Sequence, residues 1–261
     1  GPAGNMVALR MAQKGHHVLV IDWRQNLGDK LCTGIIGKEC AERFPPKKSH
    51  TYLGAESATV ISPFGKTHHV KKRNPVAYVV DRVSYVASFA SKAQENGAEY
   101  RLGEKIQEIH CLDNQVSVNT ISELGEKIYL GKTLVICSGF ASPLVRMVNL
   151  SENNSDHLIG SQAEVTVSDV ENIQVFLSNR VNPGFFGWLV PLSNSRALAG
   201  FVSRRSLNGH MENFITRLKK SGAVNDVTKE PTRWGIPIRP ISKTYKDRVI
   251  VAGDAAGCLP M

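Results

Sequence analysis

Arg248-Val-Ile-Val-Ala-Gly-Asp-Ala-Ala-Gly257 is the stretch whose reading decides the fold of this chain. An apolar run, Val249 to Ala252, delivers one carboxylate, Asp254, set between Gly253 and Ala255-Ala256-Gly257. A buried strand ends in this way against a ligand, with no bulk, one acceptor and a helix start behind it. Asp254 can accept a hydrogen bond from a ligand hydroxyl. Gly253 and Ala256 leave room for backbone to approach a flat or phosphorylated molecule.

The partner of this strand end stands at the other extreme of the sequence. Gly1-Pro-Ala-Gly4 opens the chain and runs into Asn5-Met-Val-Ala-Leu-Arg-Met-Ala-Gln-Lys14, with Gly15 as the helix stop. A short apolar strand, His16-His-Val-Leu-Val-Ile-Asp22, follows and ends in an acid. This order matches the second half of a dinucleotide-binding βαβ unit. Gly1 and Gly4 fit the second and third glycines of G-x-G-x-x-G, which admit the pyrophosphate and allow close helix–strand packing. The helix start supplies N–H groups and a positive dipole end for phosphates. Asp22 sits about 20 residues on, where an acid binds ribose hydroxyls. The unit's first strand and first glycine are not in the sequence, so the chain reads as a fragment that starts inside its own motif.

The 261 residues suffice for one large domain or two interleaved ones. Hydrophobic content of 42% with 21% charged residues describes a folded protein. No apolar run approaches the ~20 residues of a membrane span. Cys32, Cys40, Cys111, Cys137 and Cys258 are odd in number and form no C-x-x-C pair. That argues against a metal site or a disulfide framework and for a reducing cytoplasm. The formal net charge is +9, with small basic clusters at Lys47-Lys48 and Lys71-Lys72-Arg73. A solvated surface accounts for it, and attraction to anionic lipid headgroups or phosphorylated substrates is the functional alternative. Nucleic acid fits poorly, because no aromatic-interleaved basic stripe and no zinc-finger spacing is present.

Along the chain, residues 51–80 alternate as strands, broken by Pro63, Gly65 and Pro75. Residues 81–96 form an amphipathic helix with Val83, Val86, Phe89, Ala90 and Ala93 on one face. Short strands are expected at 98–102 and 106–112, then a hairpin around Asp113-Asn114 and another at 128–138. Residues 160–205 read as mostly strand, with Asn182-Pro183-Gly184 as a turn. A helix covers 209–221, and the last strand is 248–253. Helix-rich ends around a strand-rich middle imply an α/β nucleotide module interrupted by an antiparallel β-rich domain. The expected module comprises 1–50, 76–155 and 235–261, and the β-rich substrate domain 51–75 and 156–234.

Taken in order, Gly1-Pro-Ala-Gly4 with Asp22, Arg82 heading a helix, and Gly253-Asp254-Ala-Ala-Gly257 resemble the FAD-dependent oxidoreductases of the p-hydroxybenzoate hydroxylase fold. Two further motifs resemble the geranylgeranyl reductase family in particular. They are the Cys-containing glycine loop Lys30-Leu-Cys-Thr-Gly-Ile-Ile-Gly37 and Phe186-Gly-Trp-Leu-Val-Pro191, similar to a Tyr/Phe-x-Trp-x-Phe-Pro signature. The resemblance covers essentially the whole chain. It implies a Rossmann-like FAD-binding module, with Gly1, Ala3 and Gly4 at the FAD pyrophosphate and Asp22 at the adenosine ribose. Cys32 and Thr33 would lie beside the isoalloxazine, with Cys32 as the candidate catalytic residue. Arg82 would reach the phosphate–ribose region, Ile106 the adenine, and Gly253, Asp254 and Ala256 the flavin's ribityl and pyrophosphate end. Phe186, Trp188 and Pro191 would line a prenyl pocket. The chain departs from the pattern at Ser138, where an Asp is usual, and at Val190, where the signature has a second aromatic.

The residues carry no hydrolytic or phosphoryl-transfer motif, because G-x-S-x-G, H-E-x-x-H and the P-loop are all missing. The pairs His16-His17 and His68-His69 are read as surface or packing residues, since strand neighbours point to opposite faces. The resemblance therefore implies flavin chemistry, namely reduction of C=C bonds in geranylgeranyl or other prenyl chains. The electron donor would be NAD(P)H or reduced ferredoxin, the latter implying a redox partner protein. The substrate would be a prenyl lipid or prenyl diphosphate, met in the cytoplasm or peripherally on a membrane surface. A flavin-dependent monooxygenase of the same fold and a non-redox, escort-like prenyl-binding protein remain alternatives.

Overall fold

The computed structural model describes residues 1–28, 32–150, 156–177, 186–204 and 209–258. Lys30 and Leu31 of the Cys-containing loop, the turn Asn182-Pro183-Gly184, and Pro260-Met261 lie outside them. By backbone proximity the chain divides into two compact units, Gly1–Lys30 with Val86–His157 and Ile236–Met261, and Leu31–Tyr85 with Leu158–Gly235. The expected boundaries differ at 31–50 and 76–85, which group with the second unit. Pairing explains this. Strand Ala77–Val80 sits between Ile35–Gly37 and Thr51–Ala55 in an antiparallel three-stranded sheet, so these segments are held together by ladder hydrogen bonds.

The first unit is built from parallel pairs. Leu19–Asp22 pairs in parallel with Glu99–Leu102, and Leu134–Ile136 with Val249–Val251. Helix Pro2–Gln13 turns Ala8, Leu9 and Ala12 inward against Ala93 and Ala98, with Val18, Val20 and Tyr100 packed alongside. Small residues at i and i+4 let this helix come close to its neighbours. Asn5, 2% exposed, is the one amide within the inner face, and both ends of it are engaged. Its Nδ2 donates to the Val86 carbonyl at 3.3 Å and its Oδ1 accepts from the Tyr100 hydroxyl at 3.2 Å. Burial raises the Tyr100 phenol to about 12. A meander, Lys105–Cys111, Val116–Ser122 and Gly125–Gly131, completes the unit. The hairpin at Asp113-Asn114 forms as expected. The region 128–138 instead holds the end of one strand and the separate parallel strand Leu134–Ile136.

A seven-stranded sheet organises the second unit. Its order is Asp226–Pro237, His157–Thr166, Arg196–Ser203, Phe186–Ser193, Ile173–Leu177, Ser57–Ile61 and Thr67–Lys71. One face is covered by helix His210–Lys220, whose Met211, Phe214, Ile215 and Leu218 meet Ala163, Val165, Leu189, Ala197, Ala199 and Phe201. That i, i+3, i+4, i+7 spacing is the amphipathic stripe expected of a helix on a sheet. Gly222, at φ +76°, follows the helix as the sequence indicates.

Candidate cofactor and substrate sites

In the first unit three chain turns converge. They are the start of helix Pro2–Gln13, the segment after strand Leu134–Ile136, and the single 3-10 turn Gly253–Ala256 that follows Val249–Val251. The expected helix start behind Asp254 is only this turn within the described residues. An added Cβ on Gly4 would lie 3.2 Å from the Cys137 Cβ, and one on Gly253 would lie 3.0 Å from the Ala3 Cβ. Glycine is therefore what lets the helix start sit against both strand ends. Helix Pro2–Gln13 has Gly1 at its N-cap position, and Gly1 carries no capping side chain. The Ser138 hydroxyl beside Cys137 is buried and has no hydrogen-bond partner among the described residues. Burial pushes the Cys137 thiol up, which keeps it neutral.

Asp22 ends its strand half-buried, and its Oδ1 accepts from the Arg24 backbone N–H at 3.0 Å and from Arg24 Nη1 at 3.4 Å. Arg24 in turn stacks on Trp23, 4.7 Å from guanidinium carbon to ring centre. Ile106 packs against the apolar cluster of Ile109, Val118, Val249 and Val251. Asp254 and Ala256 occupy the 3-10 turn, Ala256 buried and Asp254 half-buried. Gly257 closes that turn at φ +73°, where an added Cβ would stand 2.1 Å from the Arg239 carbonyl oxygen.

In the second unit, Cys32 and Thr33 are half-buried and lead into Gly34. Gly34 has φ +72°, and a Cβ there would fall 2.3 Å from the Val80 carbonyl oxygen. Its own carbonyl accepts the Val80 N–H at 2.9 Å. Gly34 thus ties the loop to the strand that leads to Arg82. Arg82 is half-buried and its Nε is buried without a hydrogen-bond partner among the described residues. It does not share Asp81, whose carboxylate caps the helix through Val83 N–H at 3.1 Å, Ser84 N–H at 3.2 Å and the Ser84 hydroxyl at 2.8 Å.

The sheet face opposite helix His210–Lys220 carries an aromatic floor. Trp188 stands 6.0 Å from Phe186 and 6.3 Å from Trp234, centre to centre. Its indole N–H donates to Gln162 Oε1 at 3.3 Å. Gly200, the cross-strand partner of Trp188, lies under the ring, and an added Cβ would be 2.6 Å from it. Gly160 does the same for Trp234, at 2.7 Å. The strand alternation separates the three expected substrate residues. Phe186 and Trp188 share this face, whereas Pro191 points with Leu189 toward the helix-covered core. Near the strand ends Glu164 accepts from Arg196 Nε at 2.7 Å and Lys229 Nζ at 2.8 Å. Burial works to raise the Glu164 carboxyl, but the hydrogen bonds from Lys229 and Arg196 outweigh it and hold the group below its ordinary range. Sequence reasoning missed Trp234, Gly160, Gly200 and Gln162. A glycine inside a strand is the signal that could have found them, since it marks close approach.

No family model matches the chain. A digeranylgeranylglycerophospholipid reductase of Methanococcoides burtonii is 26% identical over 269 residues, covering 98% of this chain and 66% of its own length. The chain thus spans about two thirds of the length of the curated relatives it matches. Among solved structures, a geranylgeranyl bacteriochlorophyll reductase-like protein from Thermoplasma acidophilum superposes with a TM-score of 0.88. It is 19% identical and covers 98% of this chain and 69% of its own. A p-nitrophenol 4-monooxygenase from Pseudomonas putida follows at TM-score 0.75 and 14% identity, over 97% of this chain and 70% of its own. The chain is thus similar along nearly its whole length to digeranylgeranylglycerophospholipid reductases, and it has the p-hydroxybenzoate hydroxylase-like α/β fold.

Proposed function

We propose that this protein binds FAD and reduces carbon–carbon double bonds of a prenyl lipid or prenyl diphosphate, with electrons from NAD(P)H or a reduced ferredoxin. The observation that carries the reading is the glycine-lined convergence of Ala3-Gly4, Cys137-Ser138 and Gly253-Asp254. Its residues fit a dinucleotide. The helix start suits a pyrophosphate, the unpartnered Ser138 hydroxyl suits a polar ligand atom, and Gly4 and Gly253 let the helix start and the two strand ends lie close enough to face one ligand. Gly1, Ala3 and Gly4 would hold the pyrophosphate and Asp254 a ribityl hydroxyl. Asp22, Arg82 and Ile106 would serve the adenosine half, and Cys32 and Thr33 the isoalloxazine edge.

Held there, a reduced flavin would supply the hydride. An isolated alkene accepts hydride poorly, so the protein's part is to align it and exclude water. Phe186, Trp188 and Trp234 form a cluster of mutually tilted rings on one sheet face, apolar surface against which a prenyl chain would pack. Gln162 holds the Trp188 ring in one orientation. Pro191 would act from the opposite side, by shaping the strand. Among the described residues no helix is long and apolar enough to cross a membrane.

The test is to purify the full-length protein, record its visible spectrum, and follow a geranylgeranyl lipid by mass spectrometry after anaerobic reduction. A flavin spectrum and products gaining whole H2 increments are expected. Colourless protein that cannot be reconstituted with FAD would overturn the reading. Products gaining oxygen would assign monooxygenase chemistry instead.

A further inference from the structure

Strands Ser57–Ile61 and Thr67–Lys71 form the outer hairpin of the seven-stranded sheet, with Ile61 opposite Thr67 and Ser57 opposite Lys71. Its tip is well made. Ser62 N–H donates to the Lys66 carbonyl at 2.8 Å, Gly65 N–H to the Ser62 carbonyl at 2.9 Å, and Lys66 N–H to Ser62 Oγ at 3.0 Å. Gly65 takes φ +81°. At this ordered tip Phe64 is 99% exposed, more than any other large hydrophobic side chain among the described residues. An aromatic ring kept wholly in water on a rigid turn costs solvation free energy with no return inside the fold.

The charge around it is one-sided. From Ser57 to Val80 the sequence contains no Asp or Glu, while Lys66, Lys71, Lys72 and Arg73 are cationic and His68 and His69 stand between them. Every residue of strand Thr67–Lys71 is exposed. His69 Nδ1 shares a 3.1 Å hydrogen bond with Thr59, and the cationic charge rests on the lysines and Arg73. An exposed edge strand bounded by lysines resists pairing with a second chain. An aromatic tip flanked by cations matches the interface of an anionic bilayer, where rings sit at headgroup level and each cation contributes to attraction.

We propose that the hairpin Ser57–Lys71, with Lys72 and Arg73, docks this protein on an anionic lipid surface, Phe64 entering the headgroup layer and the basic residues meeting lipid phosphates. The experiment is co-sedimentation of the full chain with vesicles of equimolar phosphatidylglycerol and phosphatidylcholine, against phosphatidylcholine alone. Binding to the anionic vesicles only, weakened by salt, is expected. Lys71→Gln/Lys72→Gln/Arg73→Gln should weaken it on the order of 100-fold, at about fivefold per cation. Phe64→Ser should weaken it about tenfold; its fully exposed site leaves folding unchanged, checked by circular dichroism. Equal binding to both vesicles, unaltered binding by either variant, or a self-association that Phe64→Ser abolishes would each overturn the proposal. The measurement needs neither flavin nor turnover, so its failure and that of the reductase reading are told apart.

Discussion

Gly200 and Trp188 show how much one missing Cβ can do. The indole lies where a methyl group on Gly200 would stand 2.6 Å away, so Gly200→Ala must displace either Trp188 or the Ser161 carbonyl. Overpacking of this kind should cost about 1–3 kcal/mol, read as a lower midpoint in urea unfolding. Gly34→Ala should cost more, about 2–4 kcal/mol, because φ +72° and the 2.3 Å approach to the Val80 carbonyl both forbid the side chain. Ser138→Ala separates binding from stability. Its hydroxyl has no partner among the described residues, so its removal should leave the unliganded protein as stable or slightly more so. FAD affinity, followed by flavin fluorescence, should fall about fivefold for a lost hydrogen bond of ~1 kcal/mol. Glu164 carries a pH signature. Its carboxyl is held below the unfolded value of about 4.3. Its contribution is therefore complete above that pH and lost as pH falls through the folded value. Glu164→Gln should flatten the acid limb of the stability profile below about pH 4 and leave its alkaline side unchanged.

Capping and alternation govern the elements. Asp81 satisfies two backbone N–H groups at the start of helix Arg82–Glu95 and fixes the Ser84 hydroxyl as well. Asp81→Ala should lower stability by about 1 kcal/mol, visible as a shift of the thermal midpoint by a few degrees, whereas Asp81→Asn should recover most of it. Helix periods were legible beforehand. The apolar spacing of 81–96 and 209–221 falls on helices Arg82–Glu95 and His210–Lys220, because a 3.6-residue stripe has no other compact partner. The hairpin at Asp113-Asn114 was legible for the same kind of local reason, its turn chemistry. Strand partners were not. The parallel pairing of Leu134–Ile136 with Val249–Val251 joins segments more than a hundred residues apart, and no local preference encodes that register. Nor did the motif Phe186 to Pro191 disclose that its residues divide between two sheet faces, which follows only once the strand is known to be straight there.

For the molecule as a whole, ligand linkage offers a direct measure of the cradle. FAD at about 100 times its dissociation constant should raise unfolding free energy by about 2.7 kcal/mol, seen as a concentration-dependent rise in the melting midpoint. The class of fold was written in the sequence. Gly1-Pro-Ala-Gly4, Asp22 and Gly253-Asp254-Ala-Ala-Gly257 are short segments whose backbone demands are local, since a helix start and a strand end need particular small residues wherever they occur. The division of the chain was less legible. Segments 31–50 and 76–85 belong with the large-sheet unit because of strand pairings that composition does not reveal. The sequence by itself therefore determined the two long amphipathic helices, the glycines at the chain's ends and the absence of acidic residues from Ser57 to Val80. Only the tertiary structure decided that Gly4 meets Cys137, that Gly253 meets Ala3, that Gly160 and Gly200 lie under indoles, and that Phe64 is left in water. The physical reason is range. Propensity, capping and charge act within a few residues, whereas close packing selects partners across the whole chain by excluded volume.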